Sequence, residues 1–272
     1  MRQEPHPADH RGRLEGWSLQ HQEDARLVAS SRRPCVSVRR RRVDNAELLD
    51  DPAAVQSDLA ANLADIRRLN SWFGGTELIL DYVRPLLRRH DVSSLLDVAT
   101  GSADIPVAIH RWAEEEGLRV HIEAADISTE VLSQAEKLVT GTPVRLKCAD
   151  ARDLPWADAS VDVVTCCLSL HHFPPAEARR VLAELWRVAR VAVVATDLTR
   201  GLVAYAAAIL ATRTVARNRM TRHDGPLSVL RAYTRAELQD LAMDAGLRDA
   251  RVRRHPFFRQ ALVAHKGVTS DA

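Results

Sequence analysis

Between Ser94 and Ile109 the chain reads SLLDVATGSADIPVAI, an apolar run that gives way to small residues and then resumes with helical spacing. Leu95, Leu96 and Val98 fit a buried strand, Ala99 to Ala103 a tight turn, and Ile105, Val107 and Ile109 the apolar side of a helix. Small residues at such a turn let a ligand approach the main chain. The helix N-terminus behind it offers unpaired N–H groups and a partial positive charge, which suit a carboxylate or a phosphate. The glycine pattern of dinucleotide binders is absent, because only Gly101 is a glycine and Ala99 and Ala103 flank it. Taken alone, the turn is equally compatible with a packed strand-to-helix junction.

Downstream the unit repeats. A helix over residues 105–116 stops at Gly117, a second strand over 119–126 ends in Asp126, and Ser128 opens a helix to Leu138. A third strand over 144–148 leads to Asp150, and a fourth over 160–170 closes with His171 and His172. A helix over 176–187 precedes a fifth strand over 191–196, ended by Asp197. Strands alternating with helices predict an α/β fold, a doubly wound, mostly parallel sheet with helices on both faces. Its ligand crevice lies at the carboxyl ends of the strands, where Asp97, Asp126, Asp150, His171, His172 and Asp197 all fall. Asp126 stands where such folds place an acid for both ribose hydroxyls of a nucleotide.

Residues 1–43, with the run Arg39 to Arg42, lack apolar periodicity and are expected to form a flexible basic tail. Residues 44–90 form a helical cap in which Asp51 and Pro52 fit an N-cap and first-turn pair. Within it, Trp72 and Phe73 occupy a loop that either folds over a ligand or plugs the core, and Thr76 caps the next helix. The core spans 91–267, interrupted over 198–232 by an apolar helix at 202–215 and a polar stretch at 218–225. Thr234 and Glu237 form a capping box for a helix over 233–246, and residues 250–255 and 260–265 read as an antiparallel C-terminal hairpin.

Thirty-eight basic against 36 acidic residues leave a formal charge of +2, too balanced to imply a nucleic-acid partner. Cys35, Cys148, Cys166 and Cys167 lack metal or redox spacing and read as reduced core thiols, and no metal site is expected. No apolar stretch approaches the roughly 20 residues that span a bilayer, so a cytoplasmic protein without integral membrane association is expected.

The segments LDVATGSAD, ADIS, CADARDLPW and SVDVVTCCLSLHHF, in that order and spacing, resemble class I S-adenosylmethionine-dependent methyltransferases over residues 70–265. The stretch from Asp97 to Asp104 looks most like the ubiquinone and menaquinone methyltransferases. The resemblance implies a Rossmann-like fold and S-adenosylmethionine as cofactor. It implies that the turn from Ala99 to Ala103, with Thr100 and Gly101, packs against the methionine moiety, that Asp126 holds the ribose, that Asp150 and the backbone at Ala151 meet the adenine, that Cys167, Leu168 and Ser169 lie near the sulfonium, and that Asp97 and Ile127 also belong to the cofactor site. Ala103 replaces a glycine common in the family, at a cost of about 1 kcal/mol if the position needs a positive φ. His171 and His172, then His223 and Asp224, are the candidate bases, since an imidazole titrates in the useful range.

The family's nucleic-acid enzymes carry a different motif after strand four, so a small aromatic or apolar acceptor is expected, methylated on oxygen or carbon. A protein that binds the cofactor without transferring methyl is the second reading, and a nicotinamide oxidoreductase the third. The oligomeric state is left open.

Overall fold

The computed structural model describes residues 42–45, 47–50 and 52–267. The tail expected over 1–43, apart from Arg42 and Val43, the cap Asp51 and Cys35 therefore lie outside the described residues. The central strand β1 (Ser94–Val98) is buried from Leu95 onward and runs parallel to β2 (His121–Asp126) on one side and β4 (Val161–Cys167) on the other. Beyond β2 lies β3 (Arg145–Cys148), and beyond β4 lies β5 (Ala189–Leu198), both parallel. A hairpin of β6 (Arg251–His255) and β7 (Arg259–His265) completes the sheet, β7 pairing antiparallel with β5. The order is β3-β2-β1-β4-β5-β7-β6. The reversal between β1 and β4 opens the crevice at the carboxyl ends of these strands.

Near-continuous apolar strands demand cover on both faces. One face packs on α5 (Pro175–Val188) and α8 (Arg235–Asp244), with Leu182, Leu185 and Leu238 in its core. The other packs on α2 (Gly75–Leu87), α3 (Asp104–Glu115) and α4 (Thr129–Val139), around Ile79, Ile109 and Ala135. The expected caps of α4 and α8 form: Ser128 accepts from the Val131 N–H, and Thr234 and Glu237 make the reciprocal capping box. Cys166 is buried and its thiol is pushed up by desolvation, as for an inert core cysteine, whereas Cys148, expected in the core, is exposed because β3 lies at the edge of the sheet.

The flanking segments differ in detail from the pattern. The first helix, α1 (Pro52–Trp72), continues through Asn70 and Trp72, so the loop before α2 shrinks to Phe73 and Gly74. Gly74, at φ 68°, takes the N-cap position that the sequence assigns to Thr76. Trp72 neither plugs the core nor covers the crevice, being 65% exposed. After β5 the apolar helix α6 (Leu202–Val215) forms as expected. The polar stretch at 218–225 is helical and opens α7 (Arg219–Arg231), with Asn218 accepting from the Met220 N–H and Pro226 inside the helix. Gly225 lets α7 approach α6, since a Cβ there would stand 2.5 Å from Thr212 Cγ2.

Candidate active site

The turn after β1 is built from residues in the left-handed region. Ala99, Gly101 and Ala103 have φ of 54°, 58° and 59°. Ala103 is fully buried at the N-cap of α3, so the positive φ that alanine accepts only at a cost is indeed required there. Leu168, across the crevice at the end of β4, has φ 52°. Such strain concentrates where the surrounding packing overdetermines the backbone. A Cβ on Gly101 would meet nothing within 4 Å, so the turn faces open space.

Asp97 is buried beneath that turn, accepting from Thr100 Oγ1 and from Thr165 Oγ1, each at 2.6 Å. Burial pushes its pKa up to about 6 against the pull of these two hydroxyls. Asp126 ends β2 half-buried, one oxygen accepting from the Gly101 N–H at 2.9 Å and the other from the Ser128 N–H at 3.1 Å. Desolvation raises its pKa as well, with both N–H groups opposing. Ile127 beside it is exposed. Asp150 is engaged by Arg152 through Nε and Nη2 and lies below the usual carboxylate range for that reason. Ala151 is buried, and Ser169 Oγ donates to the Cys167 carbonyl and reaches the Ala99 carbonyl at 3.3 Å, tying the end of β4 to the turn.

His171 and His172 occupy a short 3₁₀ turn, Leu170–His172, directly after this strand end. His171 is buried. Its Nδ1 lies 2.6 Å from Asp197 Oδ1, and its own backbone N–H donates to Asp197 Oδ2 at 2.9 Å. An Nδ1–H donated to the carboxylate leaves Nε2 as the basic nitrogen. Burial lowers the His171 pKa, but the Asp197 charge and hydrogen bond, with Glu47 behind them, outweigh it and leave the pKa raised. Glu47 is buried with its oxygens 3.8 Å from His171 Nε2 and 3.9 Å from His172 Nε2, and it accepts from Ser228 Oγ at 2.9 Å. Sequence reasoning missed Glu47, and placed Asp197 on the edge without a partner. Arg42, expected in a mobile basic run, instead donates to the carbonyls of His171, Phe173 and Arg231.

These histidines line a cavity of about 230 Å³ walled by α1, α6, α7 and the β6–β7 turn. Ala204, Ala207, Ala208, Ala211 and Thr212 form the α6 side, and Leu168 and Phe73 also line it. Phe73 packs edge-to-face on Phe257, ring centroids 5.6 Å apart. Of the second candidate pair, His223 is turned outward, its side chain 55% exposed. Asp224 lines the cavity, but its two oxygens accept from the Leu48 and Leu49 N–H groups, which fixes the segment carrying Glu47. The structure thus brings His171 and His172 together with Asp197 and Glu47, and separates His223 from them. Arg259, buried and lining the same cavity, was also missed. Glu47, His171 and His172 place one ligand atom each within 4.8 Å of one another, a spacing that a cation would accept.

A family profile described as a methyltransferase domain matches residues 95–191. Residues 95–191 are thus similar to a methyltransferase domain. The ubiquinone/menaquinone biosynthesis C-methyltransferase UbiE of Rickettsia bellii is 32% identical to it over 100 residues, covering 35% of this chain and 40% of that protein. The demethylmenaquinone methyltransferase of Deinococcus radiodurans is 34% identical over 101 residues, covering 36% of this chain and 39% of that protein. The chain thus spans about 40% of the length of the curated relatives it matches. Among solved structures, PigF with SAH shares the fold at a TM-score of 0.57 and 15% identity, over 94% of this chain and 72% of that one. A proposed O-methyltransferase of Nostoc punctiforme does so at 0.54 and 16%, over 78% and 61%. Among the described residues no helix is long and apolar enough to cross a membrane.

Proposed function

We propose that this protein transfers a methyl group from S-adenosylmethionine to the oxygen, or to an adjacent ring carbon, of a small, largely apolar acceptor of phenolic, quinol or polyketide type. The observation that carries this reading is a hydrogen-bonded His171–Asp197 pair at the junction between the strand-end turn and an apolar cavity.

The residues at the strand ends fit the cofactor. The space over Gly101 is open, the N-terminus of α3 faces it, and Asp126 retains lone pairs for two ribose hydroxyls while its N–H bonds fix its orientation. Asp97 and Thr100 hold the turn from below, and Ala99, Leu168 and Ser169 bound the methionine end. Ile127 and Ala151 flank the adenine side. Asp150 fits less simply, since Arg152 already takes two of its lone pairs. When bound, S-adenosylmethionine supplies a methyl group already activated by its sulfonium.

What remains for the chain is alignment and proton removal. A hydroxyl in the cavity lies against His171 and His172, and the proton passes to His171 Nε2 while Asp197 holds the ring and stabilises the imidazolium. A phenolate so formed is nucleophilic at oxygen and at its ortho carbons, so the same base serves either outcome. The name of the Rickettsia bellii relative, a C-methyltransferase, supports the carbon product.

The test is transfer of radiolabelled methyl to a panel of phenols and quinols, alongside calorimetric titration with S-adenosylhomocysteine. Label on an acceptor that is lost in Asp197→Asn is the expected result. Tight cofactor binding with no label on any acceptor would leave a binding protein, and no cofactor binding would overturn the reading altogether.

A further inference from the structure

The alanine-walled cavity contains a cation that the methyl-transfer step does not use. Arg259 begins β7, opposite Leu198 of β5 and one position from the Asp197–Gln260 pair. Its side chain is buried in the cavity wall. Nε donates to the Phe73 carbonyl at 3.1 Å. Among the described residues neither terminal amino group has a hydrogen-bond or ion-pair partner. Asp197 pulls on the charge through space, but its oxygens are held by His171 and by the Leu198 N–H. The Asn70 amide is close by at Gly75, yet its oxygen receives no hydrogen bond, and a neutral amide would not balance the charge.

A buried guanidinium without a carboxylate is costly, and the fold makes room for it. A Cβ on Gly75 would stand 2.7 Å from Arg259 Nη1, so the glycine admits the group. Desolvation pushes its pKa down to about 10, still high enough to stay charged at neutral pH. Burying an unmatched charge beside an apolar wall is the arrangement expected of a site completed by its ligand. A guanidinium fork with its two ends free matches a carboxylate geometrically, and matches a neutral carbonyl less well.

We propose that the acceptor carries a carboxylate and that Arg259 binds it, placing the acid at the end of the cavity formed by Phe73 and β7 and the reacting hydroxyl at the histidine pair. This rests on the methyl-transfer reading for the identity of the cavity's occupant, not for the anion site itself. Selectivity for acidic acceptors then resides in Arg259, and the apolar walls set only size.

The test uses the full chain, with and without saturating S-adenosylhomocysteine, titrated with meta-hydroxybenzoate and with its methyl ester. The acid is expected to bind at least tenfold more tightly than the ester. Arg259→Met should bind both alike, and Arg259→Lys should keep part of the preference. Equal binding of acid and ester, binding of neither, or a preference that persists in Arg259→Met would overturn the proposal. Because the wild-type comparison needs no variant, it stands even where Arg259→Met fails to fold. Loss of the methyl-transfer reading would appear separately, as absence of cofactor binding and of label transfer.

Discussion

Asp97 is held at the centre of the sheet at a measurable cost, and Asp97→Asn should expose it. The carboxyl is buried, and its pKa stands at about 6 where the ordinary value is 3.8. At about 1.4 kcal/mol per tenfold, that difference makes ionised Asp97 cost the folded state about 3 kcal/mol at neutral pH. The sign follows from the direction. A carboxyl whose folded pKa is raised stabilises the fold fully only below its unfolded pKa, and that contribution is lost as pH rises through about 6. Asparagine fits the same hydrogen bonds: its oxygen accepts from Thr100, and its amide donates to Thr165 Oγ1. The Thr165 hydroxyl can then turn to the Leu96 carbonyl, 3.4 Å away.

Urea unfolding of both proteins should therefore give similar stability near pH 4 and a variant more stable by about 2 to 3 kcal/mol near pH 7.5, the gap opening between. A gap independent of pH, or a wild type more stable at neutral pH, would refute the reasoning.

Asp126→Ala should weaken S-adenosylhomocysteine binding at least tenfold in calorimetry, because hydrogen bonds to a charged acceptor are worth about 1.5 to 3 kcal/mol each; unchanged affinity would remove Asp126 from the ribose site. If His171 is the base, activity should rise with pH along a limb above the ordinary imidazole value, since Asp197 raises its pKa and only the neutral ring accepts a proton. Asp197→Asn should lower kcat and move that limb to lower pH; a limb that stays in place would rule His171 out. Gly225→Ala should destabilise the fold by about 1 to 3 kcal/mol through its clash with Thr212 Cγ2, and adding Thr212→Ser, which deletes that methyl, should restore most of the loss in thermal melting.

The parallel core was legible because β1, β4 and β5 are largely apolar runs and the turns after the strands hold small or acidic residues. The motifs near Gly101, Asp126 and Leu168 fell on the strand ends for that reason. Glu47 was not legible: it sits in an aperiodic segment and is buried only because Asp224 and Ser228 of α7, far along the chain, draw it under the histidines. The helix over 218–225 was not legible for a different reason: its polar residues, glycine and proline carry no apolar period, and only the fold shows Asn218 capping a helix that Gly225 packs against Thr212. Arg259 gave no signal, since a lone arginine at a strand start is ordinarily solvated and only the tertiary fold encloses it.

The α6 wall has one more consequence. Four alanines face the cavity while Val203 and Leu210, on the same helix, are 69% and 67% exposed. Apart from Thr212, the side chains that this helix turns to the chamber are single methyl groups, and its capacity is set by atoms that are absent. Because α6 contributes nothing to the sheet, exchanging one of these alanines for a larger apolar residue shortens the chamber without disturbing the strands or the cofactor turn. On the proposed reading of the cavity as the acceptor site, the fold separates the choice of acceptor length from the machinery of transfer, so one can drift or be engineered while the other stays fixed.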